Sequence, residues 1–303
     1  LEFEAAVAGG IPIIRTLKEG LVANTNNKIY GILNGTSNFI LSNMDKNKMN
    51  FQKVLNKAKT LGYAESNPKS DLNGEDVKSK VQILSSLAFN CFINHSKINL
   101  EGINFIDEID IKNANILGYK IKHLGISEIE KGKLIQRVHP CLIKKDSRLS
   151  NVNGVLNAII IESNPVGKSV LQGEGAGPGP TTSALVSDIC SILRGNIKYP
   201  FSVSSNKRRR IQSQDLSYKF FSFYIRLDVV DKKGVLSSIT KVMSKNKISV
   251  KRLIQNPFKN KKFATIIITS HKVKNINLVK CINELSKKNF IIKRPKFIRI
   301  EEI

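Results

Sequence analysis

The stretch 219–303 constrains the fold more tightly than any other part of the chain. FSFYIRLDVV has the β-branched and aromatic content of a strand, DKKG reads as a turn, and VLSSITKVMSKNK spaces its apolar residues as a helix does. ISVKRLIQ and FATIIITS follow as strands separated by the turn NPFKNKK. NINLVKCINELSKKN is a second helix and FIRIEE ends a last strand. The order βαββαβ in roughly 85 residues is the split-βαβ, ferredoxin-like plan.

The preceding residues have a different character. IPIIRTLKEGL reads as a short helix after the Gly9-Gly10 turn, NKIYGIL (27–33) as a strand, SNFILSNM as a helix, and FQKVLNKAKTLG (51–62) as an amphipathic helix closed by Gly62. Asn73 is a plausible N-cap, with Asp76 completing a capping-box-like pattern before the apolar helix face of Val77, Val81, Leu84, Leu87 and Ala88. More helix is expected over 99–118. YKIKHLGISEIE and KLIQRVHPCLI form a hairpin turning at Lys131-Gly132, residues 154–163 and 169–172 are strands, and 181–195 is a helix stopped by Gly195. The fold class is therefore α+β, with a largely antiparallel or mixed sheet, in residues 1–199. Residues 200–218, serine-rich, basic and without periodicity, read as a linker to the unit at 219–303.

Composition removes several function classes. The net charge of +25 suggests a polyanion partner, but lysine is spread along the whole chain and the one dense run, Lys207 to Arg210, lies in the expected linker. Solvated charge is the better reading, and no nucleic-acid partner is expected. No apolar run approaches the roughly 20 residues that span a bilayer, so no membrane partner is expected either. The start, LEFEAAVAGGIPII, has no signal-peptide pattern. Cys91, Cys141, Cys190 and Cys281 form no CxxC pair and read as reduced thiols, which favours a cytoplasmic location. His95, His123, His139 and His271 are equally scattered, and no transition metal is assigned.

Five segments have the residues for chemistry. GYAESNPKSDLNGEDVKSKVQIL (62–84) holds Glu65, Asp71, Asp76 and Lys80. Asp76 and Lys80 share a helix face, and such a pair is ordinarily a surface ion pair. Should the loop fold back, the carboxylates could hold an ammonium group while the lysine gives a proton to a developing alkoxide. GILNGTSNFIL (31–41) ends a strand in Asn34-Gly35-Thr36 before a helix, where amides and a hydroxyl favour an anion, or simply cap the helix. GEGAGPGPTT (173–182) lets a ligand approach its backbone, but it is not GxGxxG and no dinucleotide-binding βαβ unit surrounds it. EAAVAGGIP (4–12) is a tight turn, plain or able to point carbonyls at a monovalent cation. DKKGVL (231–236) puts a helix N-terminus after a strand, a place for an amino-acid carboxylate or a simple turn.

Taken together and in this order, EAAVAGGIPII, GILNGTSNFIL, AKTLGYAE, DLNGEDVKSK and GEGAGPGPTTSALVSDI resemble the signatures of homoserine dehydrogenases, and the last unit resembles the ACT regulatory fold. The resemblance implies NAD(P)H-dependent reduction of L-aspartate 4-semialdehyde to L-homoserine, on the route to threonine and methionine. It makes Lys80 the proton donor and Asp76 its catalytic companion, with Glu65, Asp71, Tyr63, Thr36 and Gly35 around the substrate. It places Gly173, Gly175, Gly177 and Asn34 toward the cofactor, and main-chain oxygens of Glu4, Val7, Gly9 and Ile11 around a sodium-like ion. Threonine is the implied effector, near Asp231 and Gly234, and a homodimer or higher homo-oligomer the implied assembly. The family's Rossmann domain and a second lysine precede EAAVAGG, so the sequence as given reads as an N-terminally truncated fragment, expected to have no turnover alone. An ACT-type amino-acid sensor without its own catalysis is the alternative.

Overall fold

A computed structural model describes residues 1–93, 98–196, 199–257 and 262–303. His95 and residues 258–261 of the NPFKNKK turn lie outside the described residues. Backbone contacts divide the chain into two units. The first is Leu1–Ile111, Ile121–Pro140 and Lys145–Gln214; the second is Lys112–Lys120, Cys141–Lys144 and Asp215–Ile303.

In chain order the first stretch contains α1 (Ile13–Arg15), which runs into a π-helical turn over Thr16–Gly20, then β1 (Thr25–Ile32), α2 (Gly35–Asn47), α3 (Phe51–Thr60), α4 (Lys69–Asn73) and α5 (Glu75–Phe89). β2 (Asn99–Leu100), α6 (Glu108–Ile116), β3 (Tyr119–Glu130), β4 (Lys133–Lys144), β5 (Leu156–Asn164), β6 (Gly167–Glu174) and α7 (Pro178–Leu193) follow. The strands are ordered β6-β5-β1-β3-β4. β1 is antiparallel to β3 and β5, whereas β2 lies parallel to β4 with Asn99 beside Arg137, so the sheet is mixed.

Two expectations need correction. Helix does not fill 99–118: Asp107 accepts from the amides of Ile109 (3.1 Å) and Asp110 (3.3 Å), so the helix starts only at Glu108. The serine-rich basic stretch is not a free linker. The Arg209 amide donates to Asn90 O (2.8 Å), and Leu134 and Gln214 exchange amides along the β4 edge with Gln212 O and Leu134 O (2.9 Å each). The Arg208 guanidinium lies over the rings of Phe92 and Phe201, 4.9 and 4.5 Å from their centroids, and bonds to Ser86 Oγ. Stacked and hydrogen-bonded arginine belongs to the folded unit, which is why that unit runs on to Gln214.

The second unit has the order read from sequence: β7 (Phe220–Val230), α8 (Val235–Lys245), β8 (Val250–Pro257), β9 (Phe263–Ser270), β10 (Val273–Lys274), α9 (Asn275–Leu285) and β11 (Lys296–Ile300). Its sheet order β11-β7-β9-β8 is that of a ferredoxin-like fold. Alternate residues of β7, Phe221, Phe223, Ile225, Leu227 and Val229, are buried at period two. Ile239, Val242 and Met243 of α8, and Leu278, Cys281, Ile282 and Leu285 of α9, are buried at helical spacing.

One close approach in the first unit sets the position of α5. The helix lies on β3 at Gly125, where a Cβ would stand 2.4 Å from Val81 Cγ2 and 2.9 Å from Val77 Cγ1. Only a residue without a side chain lets the helix come this near. Gly125→Ala must push α5 off the sheet, and overpacking of this kind costs ~1–3 kcal/mol. Thermal unfolding of the variant is expected several degrees below wild type, and a Tm unchanged within a degree would show that α5 is not seated there.

Candidate active site

The segment 62–84 closes one helix and opens two more. Gly62, at φ +74, ends α3 by donating to Lys59 O (3.1 Å), and the Tyr63 amide reaches Ala58 O (2.9 Å). Pro68 then starts the single turn of α4 that carries Asp71. The N-cap of α5 is Gly74 at φ +88, not Asn73 as the sequence pattern suggested. Its neighbours leave no room for a side chain: a Cβ would sit 2.9 Å from Leu100 Cδ1 and 3.1 Å from Val138 Cγ1. Asn73 Oδ1 accepts from the Glu75 amide (3.1 Å). Asp76 is thereby not used for capping, and its carboxylate turns toward β1.

There it meets Asn34, the second of the two residues between β1 and α2. Asn34 Oδ1 accepts from the Ser37 amide (2.8 Å) and caps α2. Its Nδ2 donates to Asp71 Oδ1 (2.8 Å) and to Asp76 Oδ2 (2.9 Å). Both amide hydrogens are used, so one neutral side chain holds two carboxylates side by side. Lys80 Nζ donates to the same Asp76 Oδ2 (2.8 Å) and to Leu33 O (2.9 Å). An ammonium has three donors, so one N–H of Lys80 is left for another acceptor. The side chain is 18% exposed, enough for a small molecule to reach it.

The other expected site residues divide. Thr36 is buried and donates to Tyr63 O (2.6 Å), and the Tyr63 ring lies 5.0 Å from that of Phe39, so these residues do come together beside α2. Gly35 starts α2 against Val155 O, 2.9 Å from where a Cβ would be. Glu65 does not join the cluster: it is exposed and bonds to no described residue.

The glycine segment turns out to be largely packed from within. A Cβ at Gly175 would overlap the Asn157 side chain at 2.1 Å, and one at Gly173 would press on Ile11 at 3.3 Å. Gly177, at φ +116, is open, and a Cβ there would meet only Pro180 at 3.7 Å. Of the four residues read toward a cofactor, Gly177 is thus the one with free space, and Asn34 is committed to the two aspartates.

In the 4–12 turn the Glu4 carboxylate is already used, accepting from the amides of Ile14 (2.8 Å) and Arg15 (2.9 Å). Burial pushes its pKa up, and these two bonds oppose that rise. Ile11 O accepts from the Ile13 amide (2.7 Å), whereas the carbonyls of Val7 and Gly9 accept from no described residue. Of the four main-chain oxygens expected around a monovalent cation, that of Ile11 is thus engaged by a described amide outside the helices and strands, and those of Val7 and Gly9 are not. Among the described residues no group of acidic, histidine or cysteine side chains is arranged to hold a metal ion.

Sequence reasoning did not find His123. It is 2% exposed and stands beside the start of α5, its Cε1 3.2 Å from the Cβ position of Gly74. Nε2 is 3.0 Å from Glu101 O, which only accepts, so Nε2 carries the proton and Nδ1 is a buried acceptor without a partner.

Fold and cluster together describe an α+β unit in which two linked acids and a lysine gather at the start of α5, in one chain with a ferredoxin-like unit. Comparison with known proteins makes that class specific. The family model for homoserine dehydrogenase matches residues 12–190, and that for the ACT domain matches residues 223–288. A homoserine dehydrogenase of Helicobacter pylori is 39% identical over 299 residues, 99% of this chain and 70% of that protein. The crystal structure of a homoserine dehydrogenase from Thiobacillus denitrificans aligns with a TM-score of 0.91 at 35% identity, covering 99% of this chain and 70% of that one. A hyperthermophilic archaeal homoserine dehydrogenase mutant solved in complex with NADPH aligns at TM-score 0.54 and 29% identity, over 64% of this chain and 55% of that one. The chain belongs to the homoserine dehydrogenase family, whose members are NAD(P)-dependent oxidoreductases.

His123 gives a test by pH. Burial, the largest cause, pushes its pKa from 6.5 down to about 4. The unfolded chain therefore binds a proton that the folded one refuses between these values, and stability falls as pH drops from about 6.5 toward about 4. A shift of that size corresponds to about 3 kcal/mol. His123→Leu is expected to remove this part of the acid sensitivity in denaturant melts at pH 7 and pH 4.5. Identical losses in wild type and variant would mean that His123 is not buried in its neutral form.

Proposed function

We propose that this chain supplies the substrate site for reduction of L-aspartate 4-semialdehyde to L-homoserine, with Lys80 as proton donor. The observation that carries the reading is the one N–H that Lys80 keeps free beside two carboxylates tied together by Asn34. The substrate is a small amino acid with a reactive carbonyl at its far end. Asp71 Oδ1 and Asp76 Oδ2 are occupied, and their remaining oxygens suit the substrate's ammonium. Lys80 then gives its proton to the carbonyl oxygen as that oxygen becomes an alcohol, and Asp76 and Leu33 O fix the direction in which the amine points. Tyr63 and Thr36, joined by their hydrogen bond, wall the same site, and Glu65 reaches it only by movement of its loop. When bound, NAD(P)H supplies the hydride, and the open backbone at Gly177 would lie toward it. A sodium-like ion on the Val7 and Gly9 carbonyls would brace the turn beside that segment.

Regulation is read from the second unit. A cavity of about 320 Å³ lies at the DKKG turn, lined by Lys232, Lys233, Gly234, Ser238, Asn289 and Phe290. Gly234 caps α8 at φ +84, and Asp231 Oδ1 accepts from Gln255 Nε2 at 3.4 Å. Two lysines and a helix N-terminus suit the carboxylate of threonine. A homodimer is the assembly proposed, since β8 ends its sheet as an edge strand able to pair. Cys91, Cys141 and Cys281 are buried and form no disulfide, which agrees with a reducing, cytoplasmic setting.

Two measurements test these proposals. Lys80→Met is expected to lower kcat for semialdehyde reduction by ~10²–10⁴-fold with an unchanged melting temperature; a loss below tenfold removes Lys80 as the donor. Titration calorimetry with threonine is expected to show binding that weakens at least tenfold in Asp231→Ala. No heat with wild type, or equal affinities, would take the effector away from this turn.

A further inference from the structure

We propose that Lys122 of β3 is a positioning residue for the substrate cluster. It sets the start of α2, and through α2 the Asn34 amide that joins Asp71 to Asp76. Lys122 acts through other residues rather than on the substrate, and its role rests on the catalytic reading of Lys80 and the two acids.

Lys122 is 2% exposed, and a lysine is seldom buried so fully without partners that repay it. Its Nζ donates to Val152 O (2.5 Å), Asn38 Oδ1 (3.2 Å) and Asn153 Oδ1 (3.2 Å). No step of the reaction uses this amine. Its bonds instead tie β3 to α2, through Asn38, and to the loop that precedes β5.

Asn38 is the link to the cluster. It is 1% exposed and stands one turn after Asn34, whose carbonyl accepts from the Asn38 amide at 3.3 Å. A lysine ammonium only donates, so the Asn38 side-chain atom that faces it is the oxygen. That choice fixes the other end. Asn38 Nδ2 faces the loop and donates to Val152 O (3.1 Å), Gly154 O (3.0 Å) and Leu156 O (3.1 Å). Turned the other way, the amide would set its oxygen against three carbonyls and its hydrogens against the lysine.

The loop gathered in this way closes on the first turn of α2. Val155 O lies 2.9 Å from where a Cβ on Gly35 would be, so backbone meets backbone there. Asn34 is thus held from behind, its carbonyl by Asn38 and its neighbour Gly35 by Val155. Without Lys122 the Asn38 amide is free to turn, the loop recedes, and the first turn of α2 gains room to shift. A misplacement of ~1 Å can cost ~10²-fold in rate, so a small shift is enough.

A lysine that served stability alone would act differently. Fewer molecules would fold, and apparent kcat would fall while the folded molecules kept their KM and their affinity. A positioning role moves affinity itself, because Asp71 and Asp76 receive the substrate's ammonium.

The test uses Lys122→Met, which keeps the stem and removes the donors. Well below its melting temperature, it is expected to bind L-homoserine about tenfold or more weaker in calorimetry, with KM for the semialdehyde raised and kcat lowered. Asn153→Ala, at an exposed residue, removes one acceptor of Lys122 and is expected to lose affinity in the same direction by less. It decides the matter if Lys122→Met does not fold. Homoserine affinity and KM equal to wild type in folded Lys122→Met, or in Asn153→Ala where the first variant fails to fold, would overturn the positioning role. Lys80→Met separates the two readings. If it loses kcat while Lys122→Met binds homoserine normally, only the positioning role falls; if it keeps kcat, the catalytic reading falls first.

Discussion

The cluster of acids and lysine in the first unit depends on a single neutral side chain. Asn34 stands where β1 ends and α2 begins, and its amide faces two ways at once. The oxygen caps α2, while the nitrogen holds Asp71 and Asp76 together. Two carboxylates placed side by side repel each other; an amide that donates to both lowers that cost without neutralising either. Because the residue is fixed by the strand behind it and the helix ahead of it, the acids are fixed relative to the sheet. Lys80 is held in turn by Asp76 and by the carbonyl of Leu33, the residue just before Asn34. The cluster therefore closes on its own backbone, and its geometry is set before any substrate arrives.

Seating α5 is what brings the lysine within reach. The helix touches the sheet at Gly125 and its first turn is crowded by Leu100, Val138 and His123 around Gly74. Glycine at both places removes the side chains that would hold the helix away. The same closeness buries His123 near Asp76, and that burial lowers its pKa.

Much of this was legible in the chain. Periodicity gave the strands and helices of both units, and the βαββαβ order gave the second fold outright. The i,i+4 spacing of Asp76 and Lys80 put them on one face, as found. Contacts distant in sequence were not legible. Nothing local says that Asn34 bonds to acids 37 and 42 residues away, or that Arg208 leaves a polar, serine-rich stretch to stack on Phe92 and Phe201. Composition marked that stretch as linker, but cation–π contacts and backbone bonds to Asn90 and Leu134 overrode it. The glycines of 173–177 looked alike in sequence, yet packing against Asn157 and Ile11 accounts for two of them and leaves Gly177 open. Asn73 and Asp76 matched a capping box, but Gly74 took the cap because its positive φ and crowded surroundings admit no other residue.

The account stands on where a substrate's two ends go relative to the acids and the lysine. A crystal structure of the protein with L-homoserine bound measures this directly. The account predicts the ammonium within hydrogen-bond distance of both Asp71 and Asp76, and the hydroxyl on Lys80 Nζ with the Asn34 bridge intact. Homoserine bound in the same cleft with its hydroxyl turned away from Lys80, or an Asn34 side chain released from the two aspartates, would contradict it.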